Sequence, residues 1–224
     1  IAYEMGTALA SRLLHIGVQA EPRSWIEWAL ANNIHNSIIT LIQLKGDLLE
    51  QTDSQLDRGD LIGPNPRAWA RVSKILNNVG VENRSLAEPL VEGLVGRSAA
   101  ADLFLTAEEM KGLPNPSKIL AMNENEFLSV IPKTVPTLYG LTYSLVSYAD
   151  QVPLMEKAIK FLSKTVEKAK DLPAADCMAL GMELIMAKAI KSNKSIELMK
   201  SEAFIENYDK IKEVYDISSS NKIT

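Results

Sequence analysis

The chain has 224 residues, 46% hydrophobic and 23% charged, with a formal net charge of −4. That length permits one large or two modest cores, and an acidic balance of interspersed Lys and Glu argues against a broad electrostatic footprint for nucleic acid. The single cysteine, Cys177, supplies neither an internal disulfide nor a metal cluster and points to a reducing compartment, while no apolar run approaches the roughly 20 residues needed to span a bilayer.

Helical periodicity runs through nearly the whole sequence, so the expected fold class is all-α, a helical bundle. At the start, Met5, Leu9, Leu13 and Ile16 fall on one helical face, which leaves Arg12 and His15 off that stripe and free to face a neighbour. From Pro22 a helix places Trp25, Trp28 and Ala29 at i, i+3, i+4, the spacing of a buried face rather than of a stacking platform. Ile34, Ile38, Leu41 and Ile42 continue the pattern in a second helix, and His35, between Ile34 and Asn36, reads as turn chemistry near its start. Residues 51–64 are polar, with Asp53, Asp57, Gly59 and Asp60, and predict a surface loop; their spacing lacks the ladder of a calcium loop.

The loop leads into GPNPRAWARVSKIL. Asn65 is placed to cap a helix, Pro66 to occupy its first position and Arg67 to stand in its first turn. There the helix dipole favours an anion and a guanidinium adds a forked, permanent positive charge, so Arg67 is a candidate phosphate-binding residue; taken alone it also reads as solvated surface charge. The same helix packs Trp69, Val72, Ile75 and Leu76. Ser85 with Glu88 predicts a capping box for the next helix, with Leu90 and Leu94 at one-turn spacing before Gly96. Ala99, Ala100 and Ala101 then allow close helix approach, Leu103, Phe104 and Ala107 form a buried stripe, and Arg97 reads as surface charge.

LPNPSKIL, at 113–120, is a proline-punctuated connector with one short helix. Beyond it, helices are expected from Pro136 (Leu138, Leu141, Leu145), from Pro153 (Leu154, Ala158, Phe161, Leu162), from Pro173 (Met178, Ile185, Ala189) and from about Ser201 (Phe204, Tyr208, Ile211). Met155, Met178, Met182, Met186 and Met199 read as gap-filling core, with an adaptable groove as the alternative. Lys157, Lys160, Lys164 and Lys168 predict a solvated helix face, and the terminal SSSNKIT a frayed tail.

The succession ASRLLHIGV, PRSWIEWALANN and NPRAWARVSKIL resembles the C-terminal end of the ATPase module in AAA+ proteins of the MoxR type, over residues 1 to about 120. The resemblance implies four stretches: 1–20 as the end of an AAA+ catalytic domain, with HIGVQ as its last strand, 21–112 as a helical lid, 113–120 as a connector and 121–224 as a C-terminal helical extension. It implies that Arg12 is the finger reaching ATP in a neighbouring subunit and that Arg67, with Asn65 at its helix start, is the sensor-2 residue of the lid. It further implies ATP and Mg²⁺ as cofactors of the full-length protein, neighbouring ring subunits and a remodelled protein as partners, no nucleic acid or membrane partner, and a cytoplasmic setting.

The sequence contains no G-x-x-x-x-G-K-[ST] loop and no hydrophobic run ending in Asp-Glu, so the phosphate-cradling half of such an enzyme is expected upstream. His15 and His35 form no metal-ligand pair and there is no G-x-S-x-G elbow, which leaves no independent active site to expect. Two other readings stay open: a non-enzymatic helical adaptor that binds a partner helix in an apolar groove, and a nucleic-acid module with Arg67, Arg71 and Lys74 on a recognition helix.

Overall fold

The computed structural model describes residues 12–14, 16–17, 19–52 and 62–208. Its elements are α1 (Pro22–Ala31), α2 (Asn36–Leu44), a 3₁₀ turn (Gly46–Leu49), α3 (Pro66–Val79), α4 (Arg84–Val95), α5 (Arg97–Glu109), α6 (Pro116–Ala121), a second 3₁₀ turn (Glu124–Val130), α7 (Val135–Tyr148), α8 (Val152–Lys168), α9 (Ala174–Lys191) and α10 (Ser195–Met199). Residues 202–208 are also helical, and there is no strand among the described residues. The stripe through Met5 and Leu9, His15, and most of the loop before Ile62 lie outside those residues, as does Ile211.

The helix starts follow local chemistry. Prolines stand at the first or second position of α1, α3, α6, α7 and α8, where the missing N–H costs nothing. Glu21 caps α1 by accepting from the Ser24 and Arg23 amides, at 2.5 and 2.9 Å, and these bonds hold its carboxyl below the usual range. His35 caps α2: its Nδ1 lies 2.7 Å from Ser37 Oγ and accepts from the Ser37 amide at 3.4 Å. Burial pushes the His35 imidazole below its ordinary pKa, against the opposing pull of Glu82, which keeps the ring in the neutral form that can accept.

The capping box expected from Ser85 and Glu88 does not form. Helix α4 starts two residues earlier, with Asn83 in the cap position. Arg84 takes Glu88 in a forked pair of 2.8 Å hydrogen bonds and lies 5.3 Å from the centre of the Phe104 ring. An ion-assisted bidentate pair is stronger than the neutral–charged bond the box would supply. The buried face of α4 is Ala87, Val91 and Val95, so Leu90 points outward.

One hydrophobic core joins the helices on both sides of residues 113–120. Helix α7 lies on α2, where Asn36 Nδ2 donates to Gly140 O at 2.7 Å and to Ser144 Oγ at 2.6 Å, and the Tyr143 hydroxyl donates to Gln43 Oε1 at 2.6 Å. Helix α8 packs on α9 and α9 on α7. Ile119 and Leu120 of α6 are buried in that same core. Met155, Met178 and Met182 are buried as gap fillers, whereas Met199 is exposed. Cys177 is fully buried in a small cluster with Leu138, Ala169 and Ala174, and burial pushes its thiol up to about 12.

The expectation for Trp28 fails. Trp25 and Ala29 are buried, but Trp28 is 45% exposed, its ring 6.1 Å from that of Trp25. A stripe at i, i+3, i+4 is wider than the surface α2 covers, so the residue at its margin stays in solvent.

Two helix glycines respond oppositely to a methyl group. A Cβ on Gly181 of α9 would lie 2.4 Å from Leu162 Cδ1 and 3.2 Å from Thr142 Cγ2, both on buried residues of packed helices. On Gly140 of α7 the nearest atom is the end of the flexible Met110 side chain. Gly181→Ala should therefore destabilise by about 1–3 kcal/mol through overpacking, while Gly140→Ala should be neutral or stabilising by up to about 1 kcal/mol from helix propensity. Chemical denaturation of the two variants, read side by side, checks the difference in sign.

Candidate functional site

The site is built at the start of α3. Asn65 Oδ1 accepts from the Ala68 amide at 2.9 Å and the Asn65 carbonyl accepts from Trp69 N–H at 3.0 Å, while Pro66 occupies the first helical position. These bonds fix the first turn, and Arg67 is exposed on it. Asn65 thus has the capping role that the sequence assigns to it.

Behind this turn the helix is locked to the body of the protein. Trp69 is fully buried and its indole Nε1 donates to Leu48 O at 2.7 Å, tying α3 to the first 3₁₀ turn. The chain returns to the same place from the other side: Gln51 N–H donates to Pro64 O at 2.9 Å. The two ends of the polar loop are therefore clasped, and Arg67 projects beside the clasp. Val72 and Leu76 of α3 meet Ala87 and Val91 of α4 in the core, which sets α4 as a second wall.

Between these parts lies an open cleft of about 1120 Å³. Arg67 and Arg71 line it from α3, Gly93 and Leu94 from α4, Ile62 and Glu50 from the clasped segments, and Gln19 and Ala20 from the stretch before α1. The α3 side carries the two arginines, and the rest of the described lining mixes apolar Ala20, Ile62 and Leu94 with polar Gln19, Glu50 and Thr52. A Cβ on Gly93 would meet nothing within 4 Å, so that side of the cleft is roomy. Glu50, the one acidic residue on the described wall, uses Oε1 to accept from the Thr52 amide at 3.1 Å.

Among the described residues, neither Arg67 nor Arg71 has a carboxylate partner. Three other described arginines have carboxylate partners, Arg23 with Glu183, Arg84 with Glu88, and Arg97 with Glu92 at 3.7 Å. Arg12 is exposed in a turn before α1 and is not on the cleft wall; Gln19 and Ala20, a few residues on, are. The structure thus brings Asn65 and Arg67 together and leaves Arg12 apart from them. Sequence reasoning missed Arg71 as a cleft residue, although its spacing of one turn from Arg67 was the available signal.

Other features carry less chemistry. No group of three His, Cys, Asp or Glu side chains among the described residues is placed to hold a metal, and no described helix is long and apolar enough to cross a membrane. A separate apolar groove of about 630 Å³ runs between α9, α10 and residues 202–208, lined by Met186, Ile190, Met199, Phe204, Ile205 and Tyr208. No family model matches the chain, and neither a curated protein nor a solved structure matches it.

Proposed function

We propose that this chain is the helical lid and C-terminal extension of a MoxR-type AAA+ ATPase, a cytoplasmic ring protein that couples ATP binding and hydrolysis to remodelling of a protein partner. One observation carries the reading: an Asn-capped, Pro-started helix presents Arg67, which has no carboxylate partner among the described residues, on the wall of a large cleft, in the sequence setting that resembles the family's sensor-2 helix. A guanidinium held on a locked helix is a preorganised partner for phosphate oxygens, since its position costs no reorganisation when charge develops.

In this reading Arg67 would meet the phosphates of ATP, and Ile62, Ala20 and Leu94 its nucleoside. ATP with its magnesium supplies the transferable phosphoryl group and the metal that offsets its charge. Arg67 then orients the terminal phosphates bound by its own subunit, the three apolar side chains exclude water from the nucleoside, and Asn65 and Trp69 keep the helix start in place. Arg12 acts on the nucleotide of the neighbouring subunit. The phosphate-cradling loop belongs to a further stretch of the polypeptide.

The test is magnesium-dependent ATP hydrolysis by the longer chain that carries both halves. Removing a forked, ion-assisted hydrogen bond costs about 1.5–3 kcal/mol, so Arg67→Ala should lower kcat/KM roughly 10- to 100-fold. Turnover within twofold of the unaltered chain would overturn the reading. The apolar groove at Met199 and Tyr208 favours a second one, a helical adaptor whose partner presents an amphipathic helix, and indifference to Arg67 would support it.

A further inference from the structure

Arg71 stands one helical turn after Arg67 on the same exposed face of α3, and both line the cleft. Two like charges at that spacing repel each other. The chain holds 28 acidic against 24 basic residues, yet among the described residues no carboxylate offsets this pair, while Arg23, Arg84 and Arg97 each have one. Glu50, on the same cleft, is turned to a backbone amide. Helix amides offer little here, because the Ala68 and Trp69 N–H groups are already engaged by Asn65 and Pro66 has none, which leaves the single N–H of Arg67. The larger share of what can meet an anion is side-chain charge.

We propose that Arg71 joins Arg67 in a two-guanidinium clamp whose ligand is a polyphosphate chain, so that the cleft selects linked phosphates over a single one. The proposal deepens the nucleotide-lid reading and rests on it for the identity of the ligand as a nucleoside polyphosphate. Neighbouring positions on one helix face are about 5–6 Å apart at Cβ, and each planar fork can take two oxygens of one phosphate. A single phosphate engages one fork; two linked phosphates engage both and relieve the repulsion between them.

The 224-residue chain is titrated calorimetrically with inorganic tripolyphosphate and with orthophosphate, in low and in physiological salt. Tripolyphosphate should bind at least tenfold more tightly, with a preference that weakens as salt rises. Arg71→Ala should collapse tripolyphosphate affinity towards that of orthophosphate while leaving orthophosphate within about twofold, and Arg71→Lys, which keeps the charge without the fork, should recover part of the preference. Both positions are exposed, so unchanged thermal unfolding confirms that the variants are folded. Absence of tripolyphosphate binding, a preference that survives Arg71→Ala, or tighter binding of a single-stranded oligonucleotide of equal charge would each overturn the clamp.

The two readings fail separately. If the preference depends on Arg71 while ATP turnover in the longer chain ignores Arg67, the clamp stands and the lid reading falls. If turnover depends on Arg67 but Arg71→Ala leaves the preference intact, the lid reading stands and the clamp falls.

Discussion

Trp69→Ala should lower the free energy of unfolding by about 3–5 kcal/mol, the range for truncating a large buried aromatic. Trp69 is completely buried, and its removal opens a space between α3, the 3₁₀ turn at Gly46–Leu49 and the surrounding core. It also takes away the donor that Leu48 O receives at 2.7 Å. Trp69→Phe separates the two contributions: it keeps most of the apolar contact and loses the indole N–H, so its cost should be about 1–3 kcal/mol. Equilibrium denaturation in urea gives both values, and a cost below 1 kcal/mol for the alanine variant would show that the tryptophan does not anchor this corner. Arg67 sits on the same helix two residues away, so anion affinity should fall with stability in Trp69→Ala and survive in Trp69→Phe.

On the proposed reading, Arg12→Ala in the assembled longer chain should reduce ATP turnover by about 10³ to 10⁵ while leaving nucleotide binding nearly unchanged. The magnitude is that of an arginine delivered to a phosphoryl group as charge develops on it, an interaction made in the transition state and absent from the bound ground state. Arg12 is exposed and does not line the cleft that holds Arg67. Single-turnover hydrolysis measured beside equilibrium binding distinguishes the roles. Equal losses in binding and turnover would mean that Arg12 holds the nucleotide in the ground state. Normal turnover in an assembled ring would remove it from the chemistry altogether. Arg12→Lys should stay strongly impaired, because an ammonium cannot reproduce the planar fork.

Arg67 and Arg12 thus make different demands on the experiment. Arg67→Ala is read as a modest loss in kcat/KM within one subunit. Arg12→Ala is read as a large loss that exists only where subunits meet, so mixing inactive Arg12→Ala subunits with subunits that cannot bind nucleotide should restore part of the turnover in mixed rings.

Where local chemistry decides the outcome, the sequence was legible. Asn65, Pro66 and Arg67 take the cap, first-position and first-turn places their residue types dictate. The prolines at 136 and 153 begin helices, and Leu138, Leu141 and Leu145 are buried at their predicted spacing. His35 stands at a helix start, where turn chemistry was expected, and caps it. The failures came where two local options compete or where a distant surface decides. Glu88 was free in sequence to close a capping box, and Arg84, on the same helix face, offers a stronger bond. Trp28 has the spacing of a core residue, and the elements packed on α1 stop short of it.

By itself the sequence determined the all-α class, the helix starts and the apolar faces, because a 3.6-residue period, a capping side chain and a fixed proline φ act within one or two turns. Tertiary structure decided that one core runs through the Leu113–Leu120 stretch, since the docking of α7 on α2 depends on shape matched between residues a hundred positions apart. It also decided that Arg67 and Arg71 face the same cleft with no carboxylate partner among the described residues, a property of which chain segments pack beside them.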